Sequence, residues 1–223
     1  MIEFEAWPKT PRLRKPAIYT EKIDGTNGAV VVKELNPYNY HFSLDDGDAV
    51  QNGNVIIVER EETETYFAVT AQSRKRLISP QDDNYGFARW VHENAHALVE
   101  VLGEGRHFGE WWGSGIQRGY GLKNGEKYFS LFNVSRWNEK DEDTDQLLPY
   151  GKAELAKVPQ LRTVPLLATT ETFDTEHVNW ILSLLESEGS QAVDHLWDAE
   201  GVIVYHTASR QVYKAFCNDD PKS

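Results

Sequence analysis

Cysteine and methionine are almost absent from this chain, which has one of each among its 223 residues. A lone cysteine cannot build a disulfide framework, so we expect a reducing compartment, the cytosol. Long apolar runs are also lacking, since no segment approaches the roughly 18 uncharged apolar residues that suggest a membrane span. The first residues, MIEFEAWPKTPRLRK, contain no apolar core of signal-peptide length. We therefore expect a soluble, cytoplasmic protein that has no membrane partner.

Basic residues are fewer than acidic residues in this chain. The chain has 23 basic and 35 acidic residues, which gives a net charge of −12. This balance argues against a protein that coats nucleic acid non-specifically, because such binding depends on neutralising phosphates. Two local basic runs remain, KTPRLRK (9–15) and SRKR (73–76). Each is either a track for phosphates or a set of solvated charges.

Apolar and aromatic residues are plentiful, with seven Trp, ten Tyr and nine Phe in a chain that is 40% hydrophobic. Such a chain can bury a real core as one large domain or two small ones. Two amphipathic helices are predicted, in residues 82–105 and 173–189, and Asp174 and Gly189 can begin and end the second. Strands with intervening turns are predicted over 17–33, 40–61, 65–74, 106–117, 127–137, 199–206 and 210–216. This order indicates the α+β class.

The segment HENAH (92–96) matches the His-Glu-x-x-His pattern of zinc peptidases. On a helix, His92 and His96 lie one turn apart on one face, and Glu93 could act as a base. A third ligand is needed, and no downstream residue is singled out for that role. Two histidines on the polar face of a helix are the other interpretation, so a zinc hydrolase stays as an alternative function.

The segment EKIDGTN (21–27) stands before an apolar run, AVVV (29–32), and places Lys22 at the mouth of a predicted strand. A lysine acts as a nucleophile when its amine is neutral. Attack on a nucleoside triphosphate also needs groups that bind the base and ribose, cations at the α-phosphate and a carboxylate for a metal ion. We therefore ask whether the rest of the chain supplies such groups.

Five further motifs follow in order: SRKRLISPQDDNYGF (73–87), FGEWWGSGIQ (108–117), YFSLFNV (128–134), AEGVIV (199–204) and QVYKAF (211–216). Together with EKIDGTN they resemble the motifs of the covalent nucleotidyltransferases, which comprise RNA ligases, DNA ligases and mRNA capping enzymes. The chain is most similar to the RNA-ligase branch that includes the phage double-strand nick-sealing type. The matches run from residue 21 to residue 216, and FGEWWGSGIQ is the most specific of them after EKIDGTN.

The resemblance implies a catalytic role for three residues. Lys22 would form a lysyl–AMP phosphoramidate with ATP, and Glu200 would organise the divalent metal, Mg²⁺ or Mn²⁺. Lys214 would contact the α-phosphate. The implied fold is the nucleotidyltransferase core, in which antiparallel sheets are flanked by helices.

The resemblance also implies a set of nucleotide-binding residues. Glu21 would help to hold adenine, partly through its backbone, Asp24 belongs to the same motif, and Asn27 would support the nucleotide pocket or the end of the strand being joined. The remaining members are Arg74 at the ribose or phosphate, Glu110 at the ribose hydroxyls, Phe132 stacked on the purine and Val202 on its opposite face.

Three positions depart from the family pattern. The duplex-sealing RNA ligases have His where Asp24 stands, and their last motif carries two lysines, whereas here the second position is Phe216. The Glu-Gly motif is often followed by a lysine, but here Tyr205 and His206 occupy that neighbourhood.

The resulting prediction is an ATP-dependent RNA ligase built as a single adenylyltransferase domain over residues 1–223, with no C-terminal OB-fold domain. AMP would pass from Lys22 to a 5′-phosphate end, and a 3′-hydroxyl would then displace it to seal the strand. The expected partners are RNA or nicked duplex ends and ATP, and a protein partner could supply substrate affinity. A DNA-sealing enzyme with the same chemistry, and a binding module that keeps the nucleotide pocket but relies on a partner, remain as alternatives.

Overall fold

The computed structural model describes residues 3–35, 54–60, 63–194 and 196–218. The chain divides into two compact units, which are described separately below. The first contains residues 1–22 and 165–223, and the second contains residues 23–164. A single domain over residues 1–223 stays a prediction. No helix within the described ranges is long and apolar enough to cross a membrane.

The first unit is an antiparallel four-stranded sheet that packs one face on a helix. The strands are β1 (Ala17–Lys22), β11 (Leu166–Thr170), β12 (Gly201–His206) and β13 (Gln211–Phe216), and their spatial order is β11-β1-β12-β13. The helix is α4 (Thr175–Glu188). Its fully buried Ile181 and Leu185 pack with Tyr19 and Val204 of the sheet. The predicted helix ends are confirmed, since the Asp174 side chain accepts the Glu176 N–H and Gly189 takes a left-handed φ of 83° after the last turn.

The second unit is a seven-stranded sheet whose main path runs β10-β7-β6-β2-β4-β3, with β5 paired to β4. All pairs are antiparallel except β7 with β10. The strands are β2 (Thr26–Leu35), β3 (Val55–Arg60), β4 (Thr65–Ser73), β5 (Leu77–Ile78), β6 (Gly105–Gly113), β7 (Lys127–Leu131) and β10 (Leu161–Thr163). A small hairpin, β8 (Asn138–Lys140) with β9 (Leu147–Gly151), and the short helix α3 (Val134–Trp137) complete the unit.

One face of this sheet is covered by two short helices, α1 (Phe87–Glu93) and α2 (Ala95–Leu102). Their buried Phe87, Trp90 and Leu98 join Trp111 and Phe129 of the sheet in the main hydrophobic core. The opposite side chains of β6 and β7 are therefore free of this core, because successive residues of a strand point to opposite faces.

The prediction of one continuous helix within residues 82–105 was wrong, because the structure has two helices there. The structure breaks the helix at Asn94, whose backbone leaves helical geometry at φ −111° and ψ 12°. The Asn94 side chain donates to the Trp90 carbonyl at 2.8 Å, and the same carbonyl accepts the Asn94 backbone N–H at 3.1 Å. The predicted strand and hairpin over 40–61 lie outside the described residues up to residue 53, while β3 confirms the strand that follows.

Candidate active site

Lys22 stands at the end of β1, in a row of three residues that crosses the first unit's sheet. It pairs with Gly201 of β12, and Gly201 pairs with Phe216 of β13. Gly201 has no side chain, and a Cβ at this position would lie 2.1 Å from the Ala215 carbonyl oxygen. The side chains of Lys22 and Phe216, on the two strands that flank Gly201, therefore approach each other across the glycine. The Lys22 ammonium lies 5.5 Å from the centre of the Phe216 ring.

Lys22 is also held by a carboxylate. Its Nζ atom lies 2.6 Å from Oε2 of Glu200, and both side chains are largely shielded from solvent, at 21% and 13% exposure. Glu200 immediately precedes Gly201, so the strand pairing that brings Gly201 to Lys22 also brings the carboxylate there. The ion pair holds the Lys22 side chain beside Glu200, and a cation bound to Glu200 would compete with Lys22 for the carboxylate.

A second lysine joins this group. Lys214 lies two residues before Phe216 on β13, which places the two side chains on the same face, and the Lys214 Nζ is 4.7 Å from the Phe216 ring centre. The structure thus brings together the three residues predicted to be catalytic. We call Lys22, Glu200, Lys214 and Phe216 the lysine cluster.

Glu21 points to the other face of the sheet, away from Lys22. Its carboxylate is 1% exposed and accepts the Ser190 hydroxyl at 2.5 Å and the Gln191 N–H at 2.7 Å. Burial raises the pKa of Glu21, and the hydrogen bonds from residues 190–192 offset part of this rise. The carboxylate therefore fastens the segment after α4 to the strand that carries Lys22. Sequence reasoning did not identify Ser190 and Gln191, because they lie far from any motif.

The predicted role of Val202 is contradicted by its position. Val202 pairs with Glu21, is 0% exposed and belongs to the core that packs on α4. A side chain buried in this way has no surface to offer to a purine. Its neighbour Ile203 pairs with Lys214 and lies on the face of the lysine cluster, and it is partly exposed. The prediction chose the wrong one of two neighbouring residues, and neighbours on a strand point to opposite faces of the sheet.

In the second unit, three polar residues form a row across the face of the sheet opposite α1 and α2. Asn27 pairs with Glu110, and Glu110 pairs with Ser130. The Glu110 carboxylate accepts the Asn27 side-chain amide at 2.6 Å and the Gly25 N–H at 3.2 Å. We call Asn27, Glu110 and Ser130 the Glu110 row. Glu110 is 7% exposed, so its carboxylate is oriented by its neighbours and is suited to accept hydrogen bonds.

Asp24 is held by two residues that follow the FGEWWGSGIQ motif. Its backbone N–H donates to the Tyr120 hydroxyl at 2.8 Å, and its carboxylate lies 3.3 Å from Nε of Arg118. Tyr120 is buried, lies in a 3₁₀ turn (Gly119–Gly121) and takes a left-handed φ of 52°. Such a conformation is uncommon for a bulky residue. Sequence reasoning did not identify Tyr120 or Arg118, although both stand within three residues of that motif.

Phe132 and Arg74 are exposed. Phe132 directly follows β7, keeps 41% of its surface exposed and donates its N–H to the Phe108 carbonyl at 3.0 Å. Arg74 lies in the turn between β4 and β5. Their accessible side chains are compatible with contacts to a nucleotide, and those contacts stay predictions.

The two histidines of HENAH do not form a metal site with other residues of the described chain. His92 lies in α1 and His96 in α2, on either side of the break at Asn94. No group of three or more His, Cys, Asp or Glu residues in the described ranges could hold a metal ion. The zinc alternative is not favoured. A Mg²⁺ or Mn²⁺ ion that arrives with nucleotide phosphates needs one or two carboxylates, and the shielded carboxylate of Glu200 fits that requirement.

Comparison with known proteins agrees with the motifs. The family model described as RNA ligase matches residues 15–216. A search of the curated proteins finds no match. Among solved structures, one Naegleria gruberi RNA ligase mutant with AMP and Mn is 16% identical with a TM-score of 0.49, and another with ATP and Mn is 17% identical with a TM-score of 0.46. Each match covers 91% of this chain and 49% of the other, so the chain spans about half the length of these structures. From the family match over residues 15–216, this chain belongs to the RNA ligase family.

Proposed function

We propose that this chain is the adenylyltransferase part of an ATP-dependent RNA ligase and that Lys22 is its nucleophile. The observation that carries the proposal is the lysine cluster, in which one amine, one carboxylate and one further cation lie on one face of a sheet. Membership of the RNA ligase family supports the reaction class. The ATP, AMP and Mn in the Naegleria gruberi structures support ATP and a divalent metal as the cofactors.

The proposed chemistry has three steps. The Lys22 ammonium loses a proton to solvent, and the resulting amine attacks the α-phosphorus of ATP. A P–N bond forms, the bond from the α-phosphorus to the bridging oxygen breaks, pyrophosphate leaves and the nitrogen loses a second proton, which it regains when it later departs. An oxygen of a 5′-phosphate end then attacks the same phosphorus, which restores the lysine and forms a 5′-5′ pyrophosphate linkage. Finally, a 3′-hydroxyl attacks the end phosphate, loses its proton and releases AMP.

Within this scheme, the residues of the lysine cluster have different tasks. Lys214 places positive charge where negative charge develops on the α-phosphate oxygens. Glu200 holds Lys22 in place before reaction and would hold the divalent ion. That ion, when bound, neutralises phosphate charge and competes with the ammonium for the carboxylate. Phe216 limits the positions of both ammonium groups through its ring.

We assign the nucleotide-recognition residues from the family motifs together with their observed positions. Glu110, oriented within the Glu110 row, accepts the ribose hydroxyls, and Phe132 supplies an aromatic plane for the purine. Arg74 provides an exposed cation for ribose or phosphate. Ile203 replaces Val202 as the apolar side chain offered to the purine. Glu21 contributes through the backbone of its strand, since its carboxylate is engaged elsewhere.

RNA ends, in a single strand or at a nick in a duplex, are the proposed polynucleotide substrate. A partner protein could add affinity for the RNA, because the chain as a whole carries a net charge of −12. ATP chemistry and the presence of only one cysteine in the sequence, Cys217, agree with a reducing cytosol as the place of action.

The deciding experiment is incubation with ATP labelled at the α-phosphate and Mg²⁺, followed by denaturing electrophoresis. Wild type should retain the label, and Lys22→Ala should lose it completely. Lys157→Ala, which removes an exposed lysine from the second unit, is the matched control and should label like wild type. Equal labelling of Lys22→Ala and wild type would remove Lys22 as the nucleophile, and no labelling of folded wild type would remove the enzyme itself.

Two alternatives have their own tests. Matched RNA and DNA ends with identical sequences distinguish an RNA-sealing enzyme from a DNA-sealing one by their rates of joining. Binding of ATP by wild type without label on Lys22 would identify the module that depends on a partner for catalysis.

A further inference from the structure

The first residues of the described chain form an extended, exposed segment, which we call the basic arm (residues 3–15). All of these residues are exposed, and residues 3–12 have no regular secondary structure. None of residues 3–12 makes a hydrogen bond to another part of the described chain. Pro8 and Pro11 each fix φ near −65°, which favours extended backbone and lowers the entropy that binding would cost.

The end of the arm is fastened to the unit that contains Lys22. The Leu13 carbonyl lies 2.7 Å from Nε2 of the buried His206, and the Lys15 carbonyl accepts the Phe173 N–H at 2.8 Å. Thr207 donates both its N–H and its hydroxyl to the Pro16 carbonyl. The arm therefore starts from a fixed point at the beginning of β1.

The arm has a charge opposite to that of the remaining chain. Its four basic side chains, against two carboxylates, give it a net charge of +2, whereas the whole chain carries −12. The rest of the sequence therefore carries −14. Arg12, Arg14 and Lys15 stand within four positions, and all three are exposed. Guanidinium groups are suited to phosphate, which they can contact through two parallel hydrogen bonds.

The arm also exposes two aromatic rings. Trp7 is 90% and Phe4 is 93% exposed, the two highest values among the large hydrophobic residues that the structure describes. Exposed aromatic planes next to cations are the combination that binds single-stranded nucleic acid, since every base offers a face for stacking.

We infer that the basic arm binds a single-stranded segment of the RNA whose end is joined. The arginines contact consecutive phosphates, and Trp7 stacks on an unpaired base. This inference rests on the proposed function for its substrate and adds to it a binding surface outside the lysine cluster. It also explains how an acidic protein engages a polyanion, because the arm concentrates positive charge at one place.

The arm is long enough to follow a strand that approaches Lys22. Its ten residues from 3 to 12 reach about 33 Å when extended. The six residues of β1, which separate the arm from the nucleophile, span about 20 Å. RNA bound at the fixed end of the arm therefore has to span about 20 Å to reach the end of β1 that carries Lys22.

The first test concerns charge. We would measure binding of a 5′-phosphorylated, single-stranded 20-mer RNA by fluorescence anisotropy, without ATP, over a range of salt concentrations. The double variant Arg12→Gln, Arg14→Gln should bind more weakly. The slope of log K against log salt should shrink by about 1.4, because each phosphate that an arginine no longer neutralises accounts for about 0.7. The control variant Arg89→Gln, Lys157→Gln removes two exposed charges elsewhere and should keep the wild-type slope.

The second test concerns stacking. Trp7→Ala should weaken RNA binding by about 5- to 100-fold, whereas Trp7→Phe, which keeps an aromatic plane, should restore most of the affinity. Trp180→Ala removes another exposed tryptophan, at 56% exposure on α4, and should leave binding unchanged. A duplex without unpaired bases should show a much smaller effect of Trp7→Ala.

The outcomes separate the arm from the proposed function. Lysyl–AMP formation should be unchanged in all arm variants, so a failure of wild type to label speaks against the proposed function alone. Unchanged RNA affinity and salt slope in both arm variants would overturn the inference. It would also be overturned if sedimentation showed that the arm variants abolish a dimer of wild type, because the arm would then bind a second copy.

Discussion

At the scale of single residues, Phe216 is the position where this chain differs most usefully from its family. A ring stands where a second lysine is usual, and two ammonium groups lie within 5.5 Å of its centre. The ring attracts cations without adding charge of its own, at about 0.5–2 kcal/mol for each contact. The lysines are thereby positioned without the mutual repulsion that a third cation would add.

Replacement of this ring should therefore slow the first chemical step. We expect Phe216→Leu to lower the rate of lysyl–AMP formation by about 2- to 30-fold, the range that corresponds to one such contact. The KM for ATP should change less than kcat, because the ring positions the amine and does not itself bind phosphate. Phe216→Tyr keeps the ring and should behave like wild type in the same single-turnover assay. A Leu variant as fast as wild type would show that the ring has no positioning role.

Glu21 supplies a prediction about pH. Burial raises its pKa above the ordinary 4.5, so the folded state holds this proton more tightly than the unfolded state does. The resulting stabilisation is fully present below pH 4.5 and is lost as the pH rises through the folded-state pKa. Glu21→Gln cannot titrate, so the free energy of unfolding of wild type relative to this variant should fall as the pH rises above 4.5. Urea unfolding at several pH values measures this difference, and a constant difference would contradict the burial effect.

At the scale of elements, β12 presents two functions on its two faces. Val202 and Val204 pack on α4, whereas Gly201 and Ile203 lie on the face of the lysine cluster. A single strand thus joins the core to the proposed site, and neighbouring residues have different tasks.

A pair of variants can distinguish the roles of the two faces of β12. Val202→Ala should lower the free energy of unfolding by about 1–3 kcal/mol, because it leaves a cavity in the core, while the KM for ATP stays near that of wild type. Ile203→Ala should raise the KM for ATP several-fold with little loss of stability. Denaturant unfolding and steady-state labelling, measured on both variants, give the comparison. The reverse pattern would restore Val202 as the residue at the purine.

Much of this architecture was predictable from local patterns, and the failures have physical causes. The α+β class is confirmed, as are the ends of α4, because alternation and capping act over a few residues. The continuous helix over 82–105 failed at Asn94, where the backbone leaves helical geometry although the apolar periodicity continues from α1 into α2. Ser190 and Tyr120 were missed because their partners, Glu21 and Asp24, lie 169 and 96 positions away. The motifs nevertheless identified Lys22, Glu200 and Lys214, which lie close together because they stand on or next to β1, β12 and β13, neighbouring strands of one sheet.

At the scale of the whole molecule, we propose that the divalent metal takes part in the reaction and does not stabilise the fold. The described residues contain no cage of three or more metal-binding side chains, and a large hydrophobic core stabilises each unit. Folding and metal binding should therefore be separable, in contrast to proteins whose structural zinc contributes folding free energy.

Chelation provides the test. Removal of divalent ions with EDTA should abolish lysyl–AMP formation, while the melting temperature should change by less than about 1 °C. Addition of Mg²⁺ or Mn²⁺ should restore the label in the same sample, and Glu200→Gln should fail to recover at any metal concentration that restores wild type. A fall of several degrees in the melting temperature on chelation would show that a metal stabilises the fold.

The first unit is formed by two separate segments of the sequence, residues 1–22 and 165–223, and the second unit, residues 23–164, lies between them in the sequence. During synthesis, β1 leaves the ribosome long before β11, β12 and β13. Lys22 is therefore made well before its partner Glu200. At about 5–20 residues per second, this interval lasts roughly 10–40 s. No nascent chain that ends before residue 200 can contain the ion pair between Lys22 and Glu200. The lysine cluster can therefore form only after residues 200–216 have left the ribosome.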